Sequence, residues 1–94
     1  MLGDKNVEAV YVASPHPAHE AQSIACIEAG KHVLCEKPCT IDAAGTERVI
    51  EAARRRGVIL MEAFMYRCHP LIGELLRRLR EGVIGEIRHV RADF

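Results

Sequence analysis

Short apolar runs at residues 7–13, 32–35 and 58–61 are separated by stretches with helical periodicity, and this alternation leaves few folds open. The first run is broken only by Glu8 and carries β-branched and aromatic residues. That composition suits a strand covered on both faces, as in a parallel sheet. Parallel strands need long crossovers, and a helical pattern follows each run. The order β-α-β-α-β-α-β with short connections therefore predicts an α/β fold with right-handed crossovers and a parallel sheet. At 94 residues the chain is long enough for one small domain and too short for two.

Local signals place the helices. Ser14, Pro15, His16 and Pro17 end the first strand, and a helical pattern begins at Pro17. Its expected inner face is Ala21, Ile24, Ala25 and Cys26, with His19, Gln22 and Ser23 elsewhere, and Gly30 follows its end. Thr40 or Asp42 is placed to cap a second helix. Ala43, Thr46, Ile50 and Ala53 are its expected inner face, with Glu51 and Arg55 paired outside. Arg54, Arg55 and Arg56 fall in its last turn, where cations favour the helix dipole, and Gly57 closes it. Pro70 opens a third helix with a stripe of Leu71, Ile72, Leu75, Leu76 and Leu79, and with Arg77, Arg78 and Arg80 on the wet face. Gly82 ends that helix and residues 83–85 form a turn. The last segment alternates, Val90, Ala92 and Phe94 against His89, Arg91 and Asp93, as in a half-exposed strand of a different sheet. Because no turn or cap follows Phe94, the chain is expected to be part of a longer one.

The 13 basic and 13 acidic residues balance, so no broad field favours nucleic acid or an anionic membrane. No apolar run reaches membrane-spanning length and the first residues lack the charged-then-apolar pattern of a signal peptide, so a cytoplasmic location is expected. Cys26, Cys35, Cys39 and Cys68 form no Cys-x-x-Cys pair, which argues against a disulfide framework and a zinc knuckle. His32, Cys35 and Cys39 are conceivable ligands, but His32 and Cys35 point to opposite faces of one strand. No metal site is expected.

Residues 31–38, Lys-His-Val-Leu-Cys-Glu-Lys-Pro, carry the chemistry. A short strand at residues 32–35 delivers the Glu36 carboxylate and the Lys37 amine to its carboxyl end. Pro38 stops it, since proline brings no N–H to the ladder and keeps Lys37 extended. Ligands of open α/β sheets bind at the carboxyl ends of strands. The plain alternative is an exposed ion pair at a strand end.

Four elements then occur in order: Ser14-Pro15-x-x-x-His19, residues 30–38 from Gly30 to the Glu36-Lys37-Pro38 end, Arg67-x-x-Pro70, and Gly82-x-Ile84-Gly85. Together they resemble the glucose–fructose oxidoreductase/inositol dehydrogenase/MocA (Gfo/Idh/MocA) family of NAD(P)-dependent oxidoreductases. Residues 61–67 are most similar to the branch with the dihydrodiol dehydrogenases and NADP-dependent sugar dehydrogenases. The resemblance spans essentially the whole chain. It implies that residues 1–82 are the second half of a Rossmann-like parallel sheet, and that residues 83–94 begin a following α+β substrate and oligomerisation domain. The family's opening Gly-x-Gly-x-x-Gly turn, which holds the cofactor pyrophosphate, has no counterpart here.

The resemblance further implies hydride transfer between NAD or NADP, the latter favoured by the branch, and a sugar, polyol or diol. Lys37 is then the proton relay, Glu36 orients Lys37 or touches the cofactor, and Ser14 and Pro15 set their backbone beside it. A cis Lys37–Pro38 peptide is implied as well. Two readings stand for His19, direct cofactor contact and bonding to nearby backbone. Two stand for Arg67, a cofactor contact and a salt bridge to Glu62. The complete protein is implied to be a homo-oligomer. The competing reading is a non-catalytic module that binds a nucleotide or a partner, and a cysteine- and histidine-based metal regulator is a third.

Overall fold

The computed structural model describes residues 1–93, which divide into two compact units, residues 1–64 and residues 65 onward. The first unit holds β1 (Ala9–Val12), a 3-10 turn (His16–Ala18), α1 (His19–Glu28), β2 (His32–Cys35), α2 (Ala43–Arg56) and β3 (Leu60–Glu62). The second holds a 3-10 turn (Met65–Cys68) and α3 (Pro70–Arg80).

The three strands form one parallel sheet in the order β1-β2-β3, as the strand–helix alternation requires. Tyr11 pairs with Leu34 and Leu34 with Met61, and the carboxyl ends of all three strands lie side by side. Main-chain bonds continue past the ladders, from the Glu36 N–H to the Val12 carbonyl at 2.9 Å and from the Ala63 N–H to the Cys35 carbonyl at 2.7 Å.

The core lies on one face of this sheet. Val10, Val12, Val33 and Cys35 point into it, and Cys26 and Ile27 of α1 and Val49, Ala52 and Ala53 of α2 close over them. The expectation that these strands are covered on both faces does not hold among the described residues. β1 and β2 alternate exposed and buried positions, and Tyr11, Leu34 and Met61 remain 56%, 38% and 42% exposed. A two-layer unit has helices for only one side of its sheet.

Both helices are rotated from the expected faces. On α1 the buried residues are His19, Ser23, Cys26 and Ile27, a regular stripe at i, i+4, i+7 and i+8, whereas Ala21 and Ala25 are exposed. A polar His19 is tolerated inside because both ring nitrogens meet main-chain oxygens. On α2 the buried residues are Gly45, Val49, Ala52 and Ala53. Gly45 is packed closely, since a Cβ there would stand 2.6 Å from Glu20 Oε2, the end of a flexible side chain, and 3.2 Å from Thr40 Cβ. A side chain at this position would displace the Glu20 carboxylate of α1 and press on Thr40. Thr46 faces the cap instead, its hydroxyl 2.6 Å from that of Thr40.

Asp42, one of the two expected caps, is the N-cap of α2, its carboxylate accepting the Gly45 N–H at 2.7 Å. Such a cap contributes about 1 kcal/mol. Gly57 ends the helix at φ 64°, a left-handed conformation that a side chain would strain. The expected Glu51–Arg55 pair gives way to a bridge between helices, in which Arg55 and Arg56 both reach Glu28 of α1 at 3.2 and 3.4 Å.

In the second unit, α3 starts at Pro70 as expected, with His69 as its cap, Nδ1 accepting the Leu71 N–H at 3.1 Å. Its leucine stripe is not buried: Leu71, Leu75 and Leu76 are 65%, 47% and 45% exposed. Arg77 pairs with Glu74 and Glu81, and Arg78 with Glu74, so this part of the wet face is an ion-pair lattice. The strand expected near residue 90 is not formed among the described residues. Its alternating pattern is present, but a strand needs a neighbour for its N–H and C=O groups, and residues 86–93 meet none. Phe94, assigned to one face of that strand, lies outside the described residues. No helix among the described residues is long and apolar enough to cross a membrane.

Candidate functional site

Three segments leave the carboxyl edge of the sheet: Ser14 and Pro15 after β1, Glu36 to Pro38 after β2, and residues 63–64 after β3. β2 is the central strand, so its extension is flanked on both sides. Cys35 is its last buried residue. Glu36 is half-buried, Lys37 and Pro38 are exposed, and the peptide between Lys37 and Pro38 is cis.

Both oxygens of the Glu36 carboxylate are engaged. Oε1 accepts the Tyr11 hydroxyl, and Oε2 accepts the Lys37 main-chain N–H at 3.1 Å. The Tyr11 bond, then the Lys37 N–H, hold the Glu36 carboxyl below the usual carboxylate range. The same bond raises the Tyr11 phenol above its ordinary value. Glu36 is therefore a fixed, ionised carboxylate beside Lys37. Tyr11 was not among the candidates. Strand register, which only the fold supplies, pairs Tyr11 with Leu34 and so sets it on the face that carries Glu36 two residues later.

The other side of the loop is tied down by Glu62 at the end of β3, whose Oε1 accepts the Cys39 N–H at 2.7 Å. Glu62 thus has a main-chain partner that sequence reasoning missed. Cys39 is buried, and its thiol is pushed up to about 11, first by burial and then by Cys35 and Glu62. A thiol so raised is a poor nucleophile. Among the described residues no three His, Cys, Asp or Glu side chains are grouped to hold a metal ion.

His19 joins the first two segments. Its ring is fully buried, with Nδ1 2.8 Å from the Pro38 carbonyl oxygen and Nε2 2.7 Å from the Ser14 carbonyl oxygen. A neutral ring has one N–H for the two oxygens, whereas a ring with an N–H on each nitrogen serves both. Of the two readings open for His19, the backbone-bonded one describes this ring. Ser14 Oγ is buried and has no hydrogen-bond partner among the described residues. Ser14, Pro15, His19, Glu36, Lys37 and Pro38 are thus brought to one end of one sheet. Arg67 belongs to the second unit, where it is exposed on the turn Met65–Cys68.

A parallel β-α-β-α-β layer with its polar groups gathered at the carboxyl ends of the strands is the architecture of a Rossmann-type nucleotide-binding sheet. Residues 1–64 match the Gfo/Idh/MocA family, an oxidoreductase family with an NAD-binding Rossmann fold. The chain belongs to that family. It is 44% identical over 91 residues to the trans-1,2-dihydrobenzene-1,2-diol dehydrogenase of Mus musculus, covering 97% of this chain and 27% of the relative. Among solved structures it is similar to a 3-ketoreductase from Actinomadura kijaniata in complex with NADP, at 47% identity and a TM-score of 0.78, over 93% of this chain and 28% of that one. An NAD-binding oxidoreductase from Klebsiella pneumoniae is 36% identical with a TM-score of 0.84, over 90% of this chain and 22% of that one. The chain spans little more than a quarter of the length of the curated relatives it matches.

Proposed function

We propose that this chain is part of an NAD(P)-dependent oxidoreductase that moves a hydride between the nicotinamide and a sugar, polyol or diol. The observation that carries this reading is the exposed Lys37 held beside an ionised Glu36 at the carboxyl end of the central strand. The residues present fit the nicotinamide side of such a cofactor, with a carboxylate, an amine and the unpartnered Ser14 hydroxyl at one strand edge. The bound nicotinamide supplies or accepts the hydride. Lys37 takes the hydroxyl proton of the substrate, or returns it in the reverse direction. Glu36 orients Lys37 through its main-chain N–H, and the Ser14–Pro15 turn sets a backbone wall beside the cofactor.

Several further assignments belong to the same proposal. Arg67 reaches a carboxamide or phosphate oxygen of the cofactor through its planar fork. Residues 1–82 are the second half of the nucleotide domain and residues 83–94 begin the substrate domain, whose sheet joins copies of the enzyme. NADP is the cofactor, as in the ketoreductase complex. The free thiols of Cys26, Cys35, Cys39 and Cys68 suit a reducing compartment, the cytoplasm.

The test uses the enzyme that contains this chain, with sugars, polyols and diols deuterated at the carbinol carbon. Deuterium is expected on the reduced nicotinamide, with NADP preferred over NAD. Cofactor binding with no label transferred to it from any of these substrates supports the non-catalytic module instead.

A further inference from the structure

A fully buried imidazole is an expensive way to fill the inner face of a helix, because each ring nitrogen needs a partner inside. On α1 the stripe of Ser23, Cys26 and Ile27 continues to His19, where an aliphatic side chain would pack without that demand. The two partners it finds are the carbonyls of Ser14 and Pro38, 5 and 19 residues away and on different strand extensions. Neither lies in the sheet ladder. Pro38 has no N–H of its own, so its loop is otherwise held by the Glu36, Lys37 and Cys39 N–H groups. The ring itself is fixed, since α1 is anchored in the core by Cys26 and Ile27.

We propose that His19, with an N–H on each ring nitrogen as both acceptor partners require, is a positioning residue that sets the Ser14–Pro15 turn against the Glu36–Pro38 loop, donating one N–H to each carbonyl. This deepens the proposed function and rests on it, because the turn is there the cofactor wall and the loop carries the proton relay. His19 touches neither cofactor nor substrate. Nδ1 governs where Lys37 stands, and Nε2 governs where the cofactor wall stands. The two effects are therefore separable by substitution.

Asparagine places an amide nitrogen near the position of Nδ1, and glutamine places one near that of Nε2. In the enzyme, His19→Asn is expected to keep kcat within about twofold and to raise the cofactor KM about tenfold, the effect of one lost buried hydrogen bond. His19→Gln is expected to do the reverse, lowering kcat about tenfold with the cofactor KM little changed. A residue that only supports the fold would move both constants together in both variants. Amide hydrogen exchange gives a readout without turnover. His19→Gln is expected to speed exchange at Cys39, and His19→Asn at Ala18, whose N–H closes the turn onto the Pro15 carbonyl. The proposal is overturned if both variants loosen the same amides, if neither loosens any, or if kcat and KM shift in parallel. Should one variant fail to fold, the exchange pattern of the other decides. An inactive wild-type protein would sink the oxidoreductase reading, and the exchange pattern would still judge the clamp.

Discussion

Lys37→Ala is expected to lower turnover about 10²- to 10⁴-fold, the range associated with removing a general acid–base group. Cofactor affinity is expected to stay within a few-fold of the parent. The reasoning is local. Lys37 is exposed at the end of β2, and its contribution to the loop is its main-chain N–H, which bonds Glu36 and survives truncation of the side chain. The neighbouring anchors, Glu36 to Val12 and Cys39 to Glu62, also use main-chain N–H groups. Alanine therefore removes an amine and little else. Steady-state kinetics and nucleotide binding by fluorescence separate the two quantities. A variant that loses cofactor binding and turnover equally would show Lys37 to be a binding residue. One that retains full turnover would remove it from the chemistry.

Ile27→Ala is expected to destabilise the protein by about 2–5 kcal/mol, the usual consequence of truncating a buried isoleucine. Ile27 is completely inaccessible and is the largest fully buried side chain among the described residues. It stands where α1 meets the inner face of the sheet, in one cluster with Val10, Val33 and Val49. A two-layer unit has few other core residues to shift into the space. Urea titration measures the change, with the midpoint falling and the slope unchanged for a two-state loss of stability. A change below about 1 kcal/mol would mean that the helix relaxes into the void, and α1 would then be a poor anchor for His19.

The sequence carried the order of elements, the parallel sheet and the strand end bearing Glu36 and Lys37, because apolar runs, prolines and glycines act over a few residues. It carried helix rotation less well. The inner face of α1 departs from the expected one because His19 and Ser23 are polar residues that the pattern sets outside. His19 is buried against two carbonyl oxygens that only the fold supplies, and Ser23 is buried with its hydroxyl unpartnered among the described residues. The inner face of α2 departs from the expected one at Gly45, which contributes no hydrophobicity to the pattern yet is buried close to Glu20 and Thr40. Within the site, Glu36, Lys37 and the backbone at Ser14 were legible from local motif. Tyr11 and Glu62 were not, since each acts through a partner more than 20 residues away. The final strand illustrates the remaining gap, because alternation specifies a strand but not its neighbour.

The burial of Cys26, Cys35 and Cys39 leaves Cys68 as the exposed thiol among the described residues. With its thiol raised to about 11, Cys39 is about one part in a thousand thiolate at pH 8, and burial raises the Cys26 thiol as well. A maleimide dye added at neutral pH would therefore settle on the short turn that also holds Arg67. The chain arrives with a built-in attachment point for a spectroscopic reporter, needing no engineered cysteine and leaving the Lys37 loop unlabelled.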